Sequence, residues 1–318
     1  MSDFTQPATQ KSLHQYDLPP PVRSSDESVA VPILKPENIG TAMAIDEKHI
    51  NGKFYTILTN HQSGKIALMA ATHRKADLDK IMQYFGDKRW EVKTLTRDLS
   101  NTYDWLGREH FLKASHVANK FHIIRYLFDA LHDVRIFYRQ KLLTKKREQQ
   151  EQKLKNKKEF IATPEETLPN GDTHAELLAR SIHLLYKHEA DWSSSQAKRA
   201  KVLFEQYPDI QTAYRLAMHF RQWYAASYIG KSIPEQKRKL ADWIKEVKQS
   251  NIPEMLNFAA LVTRHEGVIC NYFIRGFTNA KAEAKNRIIQ SLISNSVNTR
   301  NMDFVHFRLS LLLIPIRH

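Results

Sequence analysis

Three acidic positions in this chain have settings from which a carboxylate could do chemistry. Asp46 and Glu47 end the apolar stretch Thr41-Ala-Met-Ala-Ile, which reads as a buried strand. Asp98 follows Trp90-Glu-Val-Lys-Thr-Leu-Thr96, which alternates like a strand with Trp90, Val92 and Leu95 inward. Glu283 lies early in a helix capped by Thr278 or Asn279, and it shares a face with Asn279 and Asn286. An acid at the tip of a strand in a dry sheet is costly unless something positive sits there. A divalent metal is the obvious candidate. Taken singly, each acid also has a plainer reading. Asp46 and Glu47 could start a polar loop, and one Glu in a basic helix is usually a surface residue.

The elements that must position these acids can be read around them. Asn51-Gly52 is a two-residue hairpin signal between the first strand and a second, Lys53–Thr59. A third strand, 65–71, follows the turn at Ser63-Gly64. Arg74–Phe85 has helical spacing, with Leu78, Ile81, Met82 and Phe85 on one face. The strand at 90–96, a helix over Asn101–Phe111 and a fifth strand over Lys113–Ala118 complete the order β-β-β-α-β-α-β. A strand–helix–strand crossover makes the later strands parallel. The expected fold is α/β, a mixed sheet of five strands.

From Phe121 the pattern becomes wholly helical. Phe121–Leu143 continues into a highly charged stretch, and residues 120–158 hold twelve Lys or Arg against four Asp or Glu. That stretch is either a solvated helix face or a surface tracking phosphates, with Lys145, Lys146, Arg147, Lys153, Lys155, Lys157 and Lys158 as the residues that would do so. Further helices read at 174–186, 195–206, 210–228, 234–249 and 253–273. Tyr214, Phe220, Trp223, Tyr224 and Tyr228 could stack on an unpaired base. Their i, i+3, i+4 spacing is more that of a core. His183 and His188, or His110, His116 and His122, lack the companions a zinc site needs.

At 318 residues the chain is long enough for one large domain or two ordinary ones. Its net charge of +14 points to a polyanionic partner. No apolar run approaches the ~20 residues of a membrane span, and no signal peptide is read at the N-terminus. Cys270 is the sole cysteine, which excludes an intrachain disulfide and fits a reducing cytoplasm. Residues 1–38 hold six of the twelve prolines and are expected to be a disordered or extended lead-in.

Asp46-Glu47 after strand one, Asp98 after strand four and the helix Thr278-Asn279-Ala-x-Ala-Glu283-x-x-Asn286 together resemble bacterial insertion-sequence transposases. The group is the DDE enzymes often called ISL-three. Asn301-Met-Asp-Phe304 and Phe307-Arg308-Leu309 are similar to its closing segment. The resemblance implies an RNase-H-like fold. Residues 39–120 would form its first part, 121–275 a helical insertion, and 276–318 the helices that complete it. It implies Asp46, Asp98 and Glu283 as the catalytic, metal-binding triad for two Mg2+ or Mn2+ ions. Glu47, Asn119, His122, Asn279 and Asn286 would be its neighbours.

The implied activity is metal-dependent cleavage and strand transfer of double-stranded DNA at element ends and targets, by a homo-oligomer assembled on the DNA. A catalytically inactive DNA-binding remnant and an RNase-H-like nuclease without strand transfer are the alternatives. The group has Asp before its Phe-His pair, where this chain has Asn119-Lys120-Phe121-His122. It also carries a zinc-binding and helix-turn-helix region ahead of strand one. The expectation is that a separately encoded recognition protein supplies that role.

Overall fold

In the computed structural model, residues 22–23, 28–50, 52–155, 166–225, 229–230, 232–275, 287 and 291 are described. The chain divides into two compact units, Met1–His116 with Asn279–His318, and Val117–Thr278.

The first unit is built on a sheet. A short antiparallel ribbon, β1 (Val22–Arg23) with β2 (Ser28–Val29), precedes it. The sheet strands are β3 (Ile33–Leu34), β4 (Ala42–Ile50), β5 (Lys53–Asn60), β6 (Ile66–Ala70), β7 (Thr94–Arg97) and β8 (Ser115–Ala118). Their order across the sheet is β3-β6-β5-β4-β7-β8. Strands β3 to β6 pair antiparallel, and β4 pairs with β7 in parallel. The sheet is mixed, as the sequence leads one to expect, but it has six strands rather than five. The extra one is Ile33–Leu34, inside the stretch expected to be a lead-in. Two residues between Pro32 and Pro36 are too few to show an alternation.

Local chemistry sets the register. Ile50 pairs with Lys53 across a two-residue loop in which Gly52 has φ +80°. At the next turn, Asn60 Oδ1 accepts from the N–H groups of Gln62 and Ser63 at 2.8 and 3.0 Å. Asn60 Nδ2 donates to the Asn38 carbonyl at 3.0 Å.

Helices α1 (Lys75–Gln83) and α2 (Asn101–His110) supply Leu78, Ile81, Met82, Tyr103 and Leu106 to a core with Met43, Ile45, Leu58, Leu68 and Leu95. Ile33, Ile50, Tyr55, Ile57, Ile66 and Met69 form a second buried cluster. The fourth strand is shorter than expected. Gly86–Glu91 forms a 3-10 helix, so Trp90 is no inward strand residue. It is half-buried, with the Arg89 guanidinium 5.4 Å and the Lys113 ammonium 5.9 Å from its ring.

The second unit is helical. Its elements are α3 (Lys120–Lys155), α4 (His174–Arg180), α5 (Ile182–Leu185), α6 (Ser194–Gln206), α7 (Pro208–Trp223), α8 (Ile233–Ser250), α9 (Pro253–Arg264), α10 (Glu266–Cys270) and α11 (Tyr272–Arg275). The helix expected over 174–186 breaks at Ser181, whose hydroxyl bonds the Leu177 carbonyl at 2.6 Å and competes with the helical ladder. The one expected over 253–273 is three short helices. Tyr214, Phe220, Trp223 and Tyr224 are core. Phe220 packs on Trp243 and Phe258, with ring centroids 4.9 and 5.2 Å apart. The Trp243 indole N–H donates to the Leu216 carbonyl at 2.9 Å. No stacking surface for a base is left at these rings; Tyr228 lies outside the described residues.

Candidate metal centre

The parallel pairing of β4 and β7 sets Ala42 beside Thr94, Met43 beside Leu95 and Ala44 beside Thr96. Continued by two residues, the same register puts Asp98 abreast of Asp46. Strand alternation gives both acids the face of Ala42 and Ala44, the reverse of the face on which Met43, Ile45 and Leu95 meet the helices. Both are half-buried.

The backbone fixes each one. Asp46 Oδ1 accepts from the Glu47 N–H at 2.9 Å. Asp98 Oδ1 accepts from the Ser100 N–H at 2.9 Å, and Ser100 caps α2 through the Tyr103 N–H at 3.2 Å. Asp98 is therefore held by the turn that starts α2, a place that follows from an Asp two residues before a capping Ser.

Glu47 is exposed, and alternation turns it to the opposite face, where it pairs with Thr56. Burial raises its carboxyl pKa first; Asp98 and Asp46 raise it further, against His73 and His49, which lower it. The three acids are thus within reach of one another's charge, but Glu47 does not face the side that Asp46 and Asp98 share. Tyr103 closes the helix side of the same region. Its hydroxyl donates to Thr56 Oγ1 at 3.1 Å, and Thr56 passes its own proton to the Thr72 carbonyl at 2.7 Å. Burial is the chief cause that keeps the Tyr103 phenol protonated, and the three acids add to it.

In the sequence Arg97 is only the residue before Asp98, yet it organises this end of the sheet. Its side chain is almost wholly buried. Its Nη1 donates to the Asp98 carbonyl at 2.9 Å, and its Nη2 binds Asp104, which also pairs with Arg108 at 3.0 Å. Burial lowers the guanidinium pKa, while Asp104 and Asp98 raise it. The guanidinium steadies the backbone of Asp98.

Among the described residues, no group of three His, Cys, Asp or Glu side chains is gathered to hold a metal. Glu283, Asn279 and Asn286 lie outside the described residues. Two paired carboxylates are the hard oxygen donors that Mg2+ and Mn2+ take, so the residues that are described fit half of such a site. In the helical unit Asn119 is buried, and its Oδ1 accepts from the Phe121 N–H at 3.0 Å, which starts α3. His122 is half-buried with its ring edge-on to Phe121. Lys145, Lys146 and Arg147 lie on the part of α3 where side chains are mostly exposed; Lys153 and Lys155 are in the same helix, and Lys157 and Lys158 lie outside the described residues.

Residues 43–309 match a family described as transposase, of the DDE kind named for ISL3. The chain belongs to this ISL3-type DDE transposase family. Two relatives, each called the transposase for insertion sequence element IS1557 and found in two strains of Mycobacterium tuberculosis, are 23% identical over 245 residues. That alignment covers 76% of this chain and 52% of theirs, so the chain spans about half the length of the curated relatives it matches. No solved structure matches the chain. The family match runs from the strand that carries Asp46 to beyond Glu283. Among the described residues, no helix is long and apolar enough to cross a membrane.

Proposed function

We propose that this transposase chain cuts and joins double-stranded DNA at the ends of an insertion sequence, with Asp46, Asp98 and Glu283 as its carboxylates. The observation that carries the reading is the register of β4 and β7, which brings Asp46 and Asp98 abreast on one face. On this reading, residues 39–120 and 276–318 make an RNase-H-like catalytic domain, and 121–275 are inserted before the helix of Glu283. Bound Mg2+ or Mn2+ ions would supply an activated oxygen nucleophile and charge stabilisation at the leaving oxygen. Asp46 and Asp98 would hold them, Arg97 and the Ser100 turn would keep Asp98 in place, and Glu283 would complete the set.

Cations of α3, Lys145, Lys146 and Arg147 among them, would follow the DNA backbone. The test pairs binding with activity. Mn2+ titrated into the full chain should bind, and cleavage of a cognate end should need Mg2+ or Mn2+. Asp46→Asn, Asp98→Asn and Glu283→Gln should each weaken Mn2+ binding and abolish cleavage while DNA affinity holds. Full activity in chelator, or in any of the three variants, would reject the triad. Metal-dependent nicking with no joining would make the chain a nuclease of this fold. DNA binding with neither would make it an inactive remnant.

A further inference from the structure

In the helical unit, Lys120 opens α3 and is half-buried. Its ammonium lies 3.2 Å from the Tyr272 hydroxyl, 4.9 Å from the Tyr272 ring centre and 5.6 Å from that of Tyr224. The nearby charge is another cation. Arg221 stands at the end of α7, its Nη1 donating to the Tyr186 carbonyl at 3.1 Å and its guanidinium 6.0 Å from the Phe128 ring. Among the described residues, neither cation is paired with a carboxylate.

Burial, and then Arg221, lower the Lys120 pKa. Other cations of this unit are matched differently: Arg180 and Arg199 meet Asp172, Lys237 meets Glu266, and Lys239 meets Glu235. For Lys120, half out of water, desolvation has a cost that the attraction of the two rings offsets only in part. The balance becomes favourable when an anion arrives.

We propose that Lys120 and Arg221 form a phosphodiester-binding site, and that its occupant is a backbone phosphate of the DNA this chain handles. The assignment rests on the DNA-binding part of the function proposed above. The rings give the site its geometry: Tyr224 and Tyr272 fix the Lys120 ammonium without neutralising it, so its charge stays available. Lys120 is a positioning residue here, since it holds a strand and does not touch a reacting bond by anything the geometry requires.

The experiment uses the full chain and a short duplex. The logarithm of affinity is measured against the logarithm of salt for wild type, Lys120→Gln, Arg221→Gln, the double variant and Lys120→Arg. Each phosphate no longer neutralised should flatten the slope by about 0.9. The double variant, which loses the one phosphate of the site, should therefore flatten it by about that much and each Gln variant by part of it, while Lys120→Arg keeps the wild-type slope. In parallel, acetylation of wild-type lysines is followed by mass spectrometry with and without saturating DNA, and Lys120 should be protected.

A merely structural clasp between Lys120 and Tyr272 would change the melting temperature of Lys120→Gln and leave both the slope and the protection unmoved, which would overturn the site. If Lys120→Gln fails to fold, Arg221→Gln and the wild-type labelling decide. Wild type that binds no DNA sinks the DNA reading itself. Wild type that binds with slopes unchanged in the variants sinks the site alone.

Discussion

Asp98 shows how one carboxylate is committed before any ligand arrives. Its backbone carbonyl is held by Arg97 and one of its oxygens by Ser100, and the parallel register, continued by two residues, sets Asp46 beside it. Like charges set side by side repel, and a cation between them would relieve it. Asp98→Asn should melt near the wild-type temperature in chelator. Mn2+ should raise the wild-type melting temperature and leave that of the variant unmoved; a ligand at a hundredfold its Kd contributes about 2.7 kcal/mol to the folded state. Thermal unfolding with and without Mn2+ checks both halves. A wild type indifferent to Mn2+ would contradict the site.

A second residue stands in the opposite relation to its surroundings. Asp172 is buried and accepts from Arg199 Nε at 3.0 Å, from Arg180 and from Asn170 Nδ2 at 2.7 Å. Burial pushes its pKa up, but the hydrogen bonds from Arg199 and Arg180 and their charges outweigh it, so the net shift is downward. A carboxylate whose folded pKa is depressed stabilises the fold above its unfolded value, near 3.8, and that contribution is lost as pH falls through the folded one. Asp172→Asn should cost about 2 kcal/mol at neutral pH, as loss of charge-assisted hydrogen bonds does. The deficit should begin to shrink as pH drops below about 4 and vanish only once pH has fallen through the lower, folded pKa. Denaturant midpoints of wild type and variant across pH would show it.

At the scale of elements, Gly107 decides how α2 sits. It lies within α2 and a Cβ there would come 2.8 Å from the His116 ring. Alanine is the better helix former by about 1 kcal/mol, yet overpacking costs about 1–3 kcal/mol. Gly107→Ala should therefore destabilise the sheet unit, and a stabilised variant would mean that His116 gives way freely. This approach is not legible in the sequence, because nothing in the spacing of Gly107 and His116 says that they meet.

What is legible has strong local signals: the Asn51-Gly52 hairpin, the alternation of β4 and β5, and the helical spacing around Leu78 and Leu106. Trp90 and Val92 imitate a strand because alternation over so few residues also fits a 3-10 turn. Strand β3 escapes a reading of the sequence for the same want of length. Asp46 and Asp98 can be named from their places after strands. Arg97 cannot be given its role, since only the folded sheet shows that its guanidinium turns back to the Asp98 carbonyl.

At the scale of the whole molecule, a net charge of +14 is distributed over two units of different make. Strands and two helices build one; helices alone build the other. In the second, α3 begins among buried residues and carries the exposed cations Lys145 and Arg147 further along. Neutralising Lys145, Lys146 and Arg147 together should weaken binding to all DNA sequences alike. The salt slope should flatten by about 0.9 for each phosphate these side chains neutralise. Filter binding or anisotropy over a salt series is the measurement, and a loss confined to one DNA sequence would contradict a backbone role.

The division of the chain also has a consequence for the protein while it is being made. The first unit is assembled from both ends of the sequence, Met1–His116 and Asn279–His318, with the whole of Val117–Thr278 between them. A ribosome moving at about 5–20 residues per second needs roughly ten to thirty seconds to cross that interval. During it, Asp46 and Asp98 have been made and Glu283 does not yet exist. A nascent chain with the proposed triad is thus born inert, and it becomes competent only after Glu283 has been made. Truncated products of interrupted translation should bind DNA through α3 and leave it uncut.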